Sequence, residues 1–269
     1  MSEKNIVIRT LETIDELEEL RKLESLIWSE YESIPSSQTI TAIKNGGMAL
    51  GAFLEDELIG FQYSFPGFKN NKIYLCSHTL GIHPEYRKLG IGEKLKLAQK
   101  EESLKMGYDL VTWTYDPLET VNAYLNLHKL GARCSTYVEN CYGEMQDDLN
   151  QGMPSDRFTV EWWVREDLVE RPSEYDVEGR LLLKVYRDSE ENLNPSETVL
   201  ELDTAEGFLF VPVPSNFQTL KKKNPELAIA WRMKTREVFI HYFKNGWTAI
   251  DLLRTKSDPD LCYYVLKKL

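Results

Sequence analysis

The chain has 269 residues, of which 42% are apolar and 28% charged, and its formal net charge is -11 at pH 7. This length accommodates one large domain or two small ones, and the ordinary apolar fraction predicts a real hydrophobic core. The acidic balance argues against nucleic acid as the main partner, because phosphate binding needs a basic surface.

Two further compositional features concern membranes and metals. No run approaches the ~20 apolar residues that span a bilayer, and the polar N-terminus shows no signal peptide. We therefore expect a cytoplasmic protein without a membrane partner. The four cysteines, Cys76, Cys134, Cys141 and Cys262, form no Cys-x-x-Cys pair, and no histidine lies at ligand spacing from them. This pattern suits a reducing compartment and predicts no metal site.

The first half of the chain alternates strands and helices in the order β-α-α-β-β-β-α-β-α-β. A strand is predicted at 5–10, and Thr13-Ile14-Asp15-Glu16 resembles a capping box that begins a helix. The other predicted elements are a short helix at 38–44, a hairpin at 48–54 and 58–65 that Pro66-Gly67 ends, a strand at 73–82, a helix that ends at Met106-Gly107, a strand at 109–115, a helix from Asp116-Pro117 to Leu130-Gly131, and strands at 132–142 and 158–164.

The second half carries no motif that points to a function. Predicted strands lie at 181–186, 198–202, 208–213, 247–254 and 262–266, and predicted helices at 215–222 and 225–243. A loop is predicted between Gly143 and Arg157. The fold class is therefore α/β with a mixed sheet, divided into a domain at 1–164 and an α+β region at 165–269. A degenerate copy of the first domain and an interface domain both stay open for that region.

A strand, a glycine turn and a helix start meet in the stretch His83-Pro84-Glu85-Tyr86-Arg87-Lys88-Leu89-Gly90-Ile91-Gly92. The first N–H groups of a helix have no internal partner and attract anions, and glycines let a phosphate come close to the backbone. Gly-Lys-Ser/Thr is missing, so this is not a Walker loop, and Gly-x-Gly-x-x-Gly is incomplete, which argues against a dinucleotide fingerprint. A plain turn with a solvated basic corner is the alternative.

The string Arg87-x-x-Gly90-x-Gly92, preceded by Ile82 and His83-Pro84-Glu85-Tyr86, resembles the acyl-CoA pyrophosphate loop of the GNAT superfamily of N-acetyltransferases. The order of elements between residues 6 and 142 is also that of the GNAT fold. The resemblance implies a GNAT fold and transfer of an acetyl group from acetyl-CoA, as co-substrate, to an amine of a small molecule or peptide. The acceptor, the acyl chain and a homodimeric state stay open.

The resemblance implies that CoA is held mostly by backbone groups. The residues concerned are Leu80, Gly81 and Ile82 for the pantetheine arm, paired like an added strand, and Arg87, Lys88, Leu89, Gly90, Ile91, Gly92 and Glu93 for the pyrophosphate. Asn122 is a further candidate for a CoA contact, although the family's asparagine corresponds to the position of Thr120.

His78 is the candidate general base, which would take a proton from the acceptor's ammonium. Strand alternation predicts that it shares a face with Leu80 and Ile82, and its ordinary pKa near 6.5 suits the role. Arylalkylamine-type members of the family carry a histidine at a similar place. A satisfied histidine in the core is the alternative.

The family's motif for the general acid is only partly present. The family's pattern is Ala-x-x-x-Tyr-x-Lys-x-Gly-Phe, and here Ala123, Lys129 and Gly131 match it. Leu127 stands where that tyrosine would be, and Ala132 replaces the aromatic residue. Tyr124 is our candidate acid, with His128 as a neighbour that could substitute and with packing as the alternative role for Tyr124.

Three acids could contact an amine acceptor. Asp116 follows a strand end, where α/β proteins bind ligands, but a helix cap is the other reading. Glu139 and Glu144 are weaker candidates.

The rival function is a non-catalytic acyl-CoA-binding or interaction protein, which Leu127 favours and His78 opposes. An unrelated α/β nucleotide-binding protein is a third reading.

Overall fold

The structure is a computed structural model, and it describes residues 5–31, 33–143, 152–167, 169–202, 207–256 and 258–269. The chain forms two compact units, of which the first comprises Met1–Trp113 and Trp162–Glu166 and the second Thr114–Glu161 and Asp167–Leu269. The predicted division at residue 164 stays a prediction. Over the described ranges, no helix combines the length and apolar character that crossing a bilayer requires.

The first unit is built on a mixed sheet with spatial order β1-β2-β3-β4-β5. Its elements are β1 (Ile6–Thr10), α1 (Ile14–Ile27), α2 (Ser36–Lys44), β2 (Met48–Leu54), β3 (Glu57–Lys69), β4 (Lys72–Ile82), a 3-10 turn (Pro84–Tyr86), α3 (Ile91–Lys105) and the start of β5 (Leu110–Tyr115). Neighbours from β1 to β4 are antiparallel, whereas β5 runs parallel to β4. The predicted capping box, in which Thr13 and Glu16 bond each other's backbone, is confirmed.

The two faces of this sheet carry different helices. Side chains alternate along β3, so that Tyr63 joins the apolar cluster under α1 while Ser64 accepts a hydrogen bond from Gln99 of α3. The cluster under α1 contains Leu11, Leu17, Leu20, Leu23, Ala49, Phe61 and Tyr63. Apolar burial therefore fixes α1 on one face, and α3 covers the other.

The predicted end of the hairpin at Pro66-Gly67 is wrong, because β3 continues through both residues to Lys69. A proline interrupts a central strand by removing a ladder donor, but it is tolerated where one side is unpaired. Pairing with β2 ends at Met48–Ser64, and beyond that point β3 pairs with β4. Glycine is needed at position 67, because an added Cβ would lie 2.4 Å from the Tyr74 ring.

Glu24 is a fully buried carboxyl group on α1. Its Oε2 accepts a hydrogen bond from the Ile34 amide at 2.8 Å. Burial raises the pKa of Glu24, and the Ile34 hydrogen bond opposes this rise. A raised pKa in the folded state means that this group destabilises the fold increasingly as pH rises from 4.5.

We therefore expect Glu24→Gln to increase the free energy of unfolding at pH 7, because it removes a buried charge. The amide keeps an oxygen for the Ile34 amide while it removes the buried charge. Urea unfolding between pH 4.5 and 7 measures the effect, with the exposed Glu19→Gln as control. Equal or lower stability of Glu24→Gln at pH 7 would contradict this account of the carboxyl group.

The second unit contains an antiparallel sheet with spatial order β7-β6-β11-β12-β10 and a separate hairpin, β8-β9. Its elements are α4 (Thr120–Ala123), a π-helical segment (Tyr124–Lys129), β6 (Arg133–Val138), β7 (Arg157–Trp163), β8 (Leu183–Arg187), β9 (Leu193–Thr198), β10 (Leu209–Pro214), α5 (Phe217–Lys223), α6 (Pro225–Lys244), β11 (Trp247–Arg254) and β12 (Leu261–Lys268). Strand β7 belongs to this unit as far as Glu161. Aromatic side chains fill its core, where Phe158, Phe239 and Tyr264 meet edge to face.

Three predicted elements of this unit differ from the structure. The strand expected at 198–202 is wrong, because β9 ends at Thr198, and β6 ends at Val138 rather than at residue 142. The helix expected from Asp116 begins at Thr120, after a turn in which the Asp116 side chain accepts from the Leu118 amide. Part of the loop expected between Gly143 and Arg157 lies outside the described residues.

Candidate functional site

The glycine loop opens α3 with its backbone accessible. Gly90 is the N-cap, with φ 74° and ψ 11°, and an added Cβ would meet no atom of the described residues within 4 Å. The first helical hydrogen bond runs from the Lys94 amide to the Gly90 carbonyl at 3.1 Å. The amides of Ile91 and Gly92 precede it and point along the helix axis, which is the geometry of an anion site.

Cationic side chains flank these amides. Arg87 and Lys88 are exposed, and Lys88 has φ 70°, so two left-handed residues, Lys88 and Gly90, shape the turn. Successive amides around left-handed residues form a concave cradle for an anion. The Arg87 Nε donates to the Ile82 carbonyl over 3.4 Å, which keeps this side chain close to the end of β4.

Among the described residues, the edge of β4 that faces β5 has no ladder partner beyond Cys76, so its second half is open. Pairing between β4 and β5 covers Leu75–Val111 and Cys76–Thr112. Beyond these pairs, β4 continues to Ile82 and pairs through Leu80, Gly81 and Ile82 with β3 on its other edge. An open strand edge can pair with an extended ligand that carries amide groups. Together, the loop and the edge fit a ligand with a phosphate and an extended amide arm.

His78 occupies a β-bulge in β4. Tyr63 pairs with Thr79 and Ser64 with Ser77, so His78 is the extra residue opposite β3. The prediction that His78 shares a face with Leu80 is wrong, because the bulge inserts one residue and breaks the alternation. Leu80 approaches Gly92 of α3, where an added Cβ would lie 3.6 Å from it. His78 instead faces the side of α1.

Aromatic rings partly enclose His78. Its ring centroid lies 5.4 Å from that of Phe65 and 6.2 Å from that of Tyr63, both edge to face. The imidazole keeps an exposed surface, and the desolvation around it lowers the pKa of His78 below its ordinary value. The group is therefore neutral at physiological pH, as a general base must be.

Lys96 is a functional candidate that the sequence motifs do not include. The sequence feature that could have indicated it is the helical spacing of Lys96, Gln99 and Ser103. These residues lie on the buried face of α3 together with Leu95. Polar residues are rarely placed on a fully buried helix face unless they have partners or a role.

The predicted catalytic residue Tyr124 and the predicted CoA contact Asn122 belong to the second unit. Asn122 is exposed on α4. The Tyr124 ring lies 4.5 Å from His128 in a stacked arrangement and 4.0 Å from the guanidinium carbon of Arg254. Leu127, at the position of the family's tyrosine, is fully buried. This environment supplies a packing role for Tyr124, and its role as an acid stays a prediction.

Both oxygens of Asp116 are engaged within the second unit. Oδ1 accepts from the Leu118 amide at 2.8 Å, and Oδ2 accepts from Arg232 at 2.5 Å. Asp116 therefore closes a turn ahead of α4 and pairs with Arg232, and the helix-cap reading is wrong because the N-cap of α4 is Glu119. Glu139 lies 3.3 Å from Arg236, and Glu144 lies outside the described residues. Among the residues described, His, Cys, Asp and Glu side chains nowhere gather in threes that could hold a metal ion.

Comparison with known proteins gives a family for the first part of the chain. Residues 17–132 match the model of the acetyltransferase (GNAT) family. No curated protein matches the sequence. The match ends within the second unit, and the residues after 132 lie outside it.

Three solved structures are similar to this chain at low sequence identity. A putative acetyltransferase from Salmonella typhimurium with its cofactor acetyl-CoA is 13% identical, with a TM-score of 0.49 over 62% of this chain and 98% of that chain. The ribosomal-protein-S18-alanine N-acetyltransferase from Escherichia coli is 13% identical, with a TM-score of 0.48 over 64% and 100%. The aminoglycoside 6'-acetyltransferase type Ii is 20% identical, with a TM-score of 0.47 over 62% and 99%.

The family match covers the glycine loop, the bulged strand β4 and α4 together. It confirms the resemblance that the motif Arg87-x-x-Gly90-x-Gly92 carries and the mixed α/β class of the fold. Residues 17–132 of this chain therefore match the acetyltransferase (GNAT) family.

Proposed function

We propose that the protein is an acyl-CoA-dependent N-acetyltransferase, which transfers an acetyl group from acetyl-CoA to the amine of a small molecule or a peptide. The observation that carries this proposal is the accessible left-handed Gly90 at the start of α3, next to the open edge of β4. The match of residues 17–132 to the GNAT family supports the reaction class.

The residues on the site fit CoA. The pyrophosphate is assigned to the amides between Lys88 and Glu93, with Arg87 alongside, because this loop offers amides and positive charge to an anion. The pantetheine arm is assigned to the main chain of Leu80, Gly81 and Ile82. Acetyl-CoA supplies the acetyl group in activated form as a thioester.

His78 acts in this proposal as the general base. An amine at neutral pH is mostly protonated and must lose a proton before it can act as a nucleophile. The lowered pKa keeps the imidazole of His78 in the form that accepts this proton. Main-chain N–H groups on the open edge of β4 stabilise negative charge that develops on a carbonyl oxygen. Tyr124 stays the candidate acid.

The experiment that tests this function is a thiol-release assay with acetyl-CoA over a panel of small amines and peptides with free N-termini. We expect release of CoA thiol that depends on one class of amine and on enzyme concentration. The same assay without an amine corrects for hydrolysis. Absence of release with every amine and peptide in the panel would contradict the transferase function.

A non-catalytic acyl-CoA-binding protein is the second candidate, and Leu127 is the observation that favours it. A buried leucine replaces the tyrosine that the family's pattern carries. The two functions separate clearly, since the second predicts saturable binding of acetyl-CoA and no thiol release in the presence of any amine.

A further inference from the structure

Lys96 of α3 reaches the point where β4 and β5 stop pairing. The last pair is Cys76–Thr112, and the next residues along the two strands are Ser77 and Trp113. The Lys96 Nζ donates to the Ser77 Oγ at 2.8 Å and lies 3.4 Å from the centroid of the Trp113 ring. The side chain therefore touches the first residue beyond the pairing on each strand.

A buried polar network surrounds the Lys96 amine. Nζ also donates to Gln99 Oε1 at 3.1 Å, and Gln99 Nε2 donates to the Ser64 Oγ at 2.7 Å. Gln62 Nε2 donates to Ser64 at 2.5 Å and to Ser77 at 3.3 Å. Every member is at most 5% exposed. We call these five residues, Gln62, Ser64, Ser77, Lys96 and Gln99, the polar floor.

One acceptor of the polar floor is unsatisfied. Gln62 Oε1 is buried without a hydrogen-bond partner among the described residues. Leaving a buried acceptor unpaired costs free energy, and a donor that the described residues do not supply would remove this cost. Burial also lowers the pKa of Lys96 well below its ordinary value.

We propose that the polar floor forms the end of the acyl site and selects the acyl group. It accepts acetyl, and among longer acyl groups it favours those with a hydroxyl beyond the thioester carbonyl over plain alkyl chains. This inference rests on the proposed function. A hydroxyl donates to Gln62 Oε1 and accepts from Lys96, whereas an alkyl chain against the same groups leaves them unpaired.

The test is calorimetric titration of the full chain with CoA, acetyl-CoA, butyryl-CoA and 3-hydroxybutyryl-CoA. Butyryl and 3-hydroxybutyryl groups have the same chain length and differ by one hydroxyl group. We expect the hydroxylated ester to bind about 10-fold more tightly, because one satisfied buried hydrogen bond contributes about 1.4 kcal/mol. Equal affinities for the two esters would overturn the inference.

Two variants locate the effect. Lys96→Met keeps the length of the side chain without its amine, and Gln62→Leu removes the unsatisfied oxygen, so each should abolish the 10-fold preference. Lys100→Met is the matched control, because Lys100 lies one turn further along α3, with its Nζ 5.8 Å from the Trp162 ring, and should keep the preference. A preference that survives in both Lys96→Met and Gln62→Leu would also overturn the inference.

Failure of the proposed function gives a different pattern. If CoA and all three esters fail to bind, both the proposed CoA site and this inference are wrong. If all of them bind and the esters show no preference, the CoA site stands and the polar floor has no role in acyl selection.

Discussion

Replacement of Gly90 by glutamate should weaken acetyl-CoA binding at least ~100-fold, a loss of about 2.7 kcal/mol. Two effects add. A φ of 74° is strained for any residue with a Cβ, by about 1–2 kcal/mol. The carboxylate also places negative charge beside amides that attract anions, where it competes with and repels a phosphate. Calorimetric titration of the variant with acetyl-CoA measures the loss.

Gly107 provides a matched control for this variant. It follows the opposite end of α3, has φ 86°, and an added Cβ there meets no described atom within 4 Å. Gly107→Glu therefore carries a similar backbone strain and the same added charge away from the loop. We expect it to bind acetyl-CoA like the parent protein. Parental affinity in Gly90→Glu would show that the loop is only a turn.

Replacement of His78 by alanine should lower the rate of acetyl transfer by about 10²–10⁴-fold, the usual contribution of a general base. Affinity for acetyl-CoA should be unchanged, because the loop and the open edge of β4 hold CoA through backbone groups. The thiol-release assay and calorimetric titration measure the two quantities separately. A parental rate in His78→Ala would remove this residue from the mechanism.

The pH dependence gives a second test of His78. A base works when it is neutral, and the pKa of His78 lies below 6.5, so the parental rate should fall only as pH drops through a value below 6.5. The rate of His78→Ala should not show this fall at low pH, which is the acidic limb of the pH profile. His241→Ala, with a histidine changed on α6 in the second unit, should keep both the rate and the limb. An unchanged limb in His78→Ala would assign the titration to another group.

Local chemistry predicted much of the first unit. The capping box at Thr13 depends on residues three apart, and the end of α3 at Gly107 depends on a single left-handed glycine. In the second unit, the strand β11, Trp247–Arg254, also agrees residue for residue with the predicted range, because turn residues bound it on both sides. The loop at Gly90 was predictable for the same reason, since its chemistry lies within six consecutive residues.

Long-range packing decided what could not be predicted. The bulge at His78 is a mismatch between two strands, and nothing in β4 alone reveals the extra residue that moves Leu80 to the opposite face. The π-helical segment Tyr124–Lys129 has an ordinary helical sequence, which gives no sign of hydrogen bonds between residues i and i+5. The polar floor could not be predicted from the sequence either, because its members come from β3, β4 and α3.

We assign acyl-CoA binding to the Gly90 loop and the open edge of β4. Calorimetric titration of the full chain with acetyl-CoA tests it most directly, with adenosine as a ligand that lacks the pyrophosphate and the pantetheine arm. The account predicts saturable binding of acetyl-CoA with a Kd of about 1–100 μM, equivalent to about -8 to -5.5 kcal/mol, and much weaker binding of adenosine. No saturable heat with acetyl-CoA at millimolar concentration would contradict it.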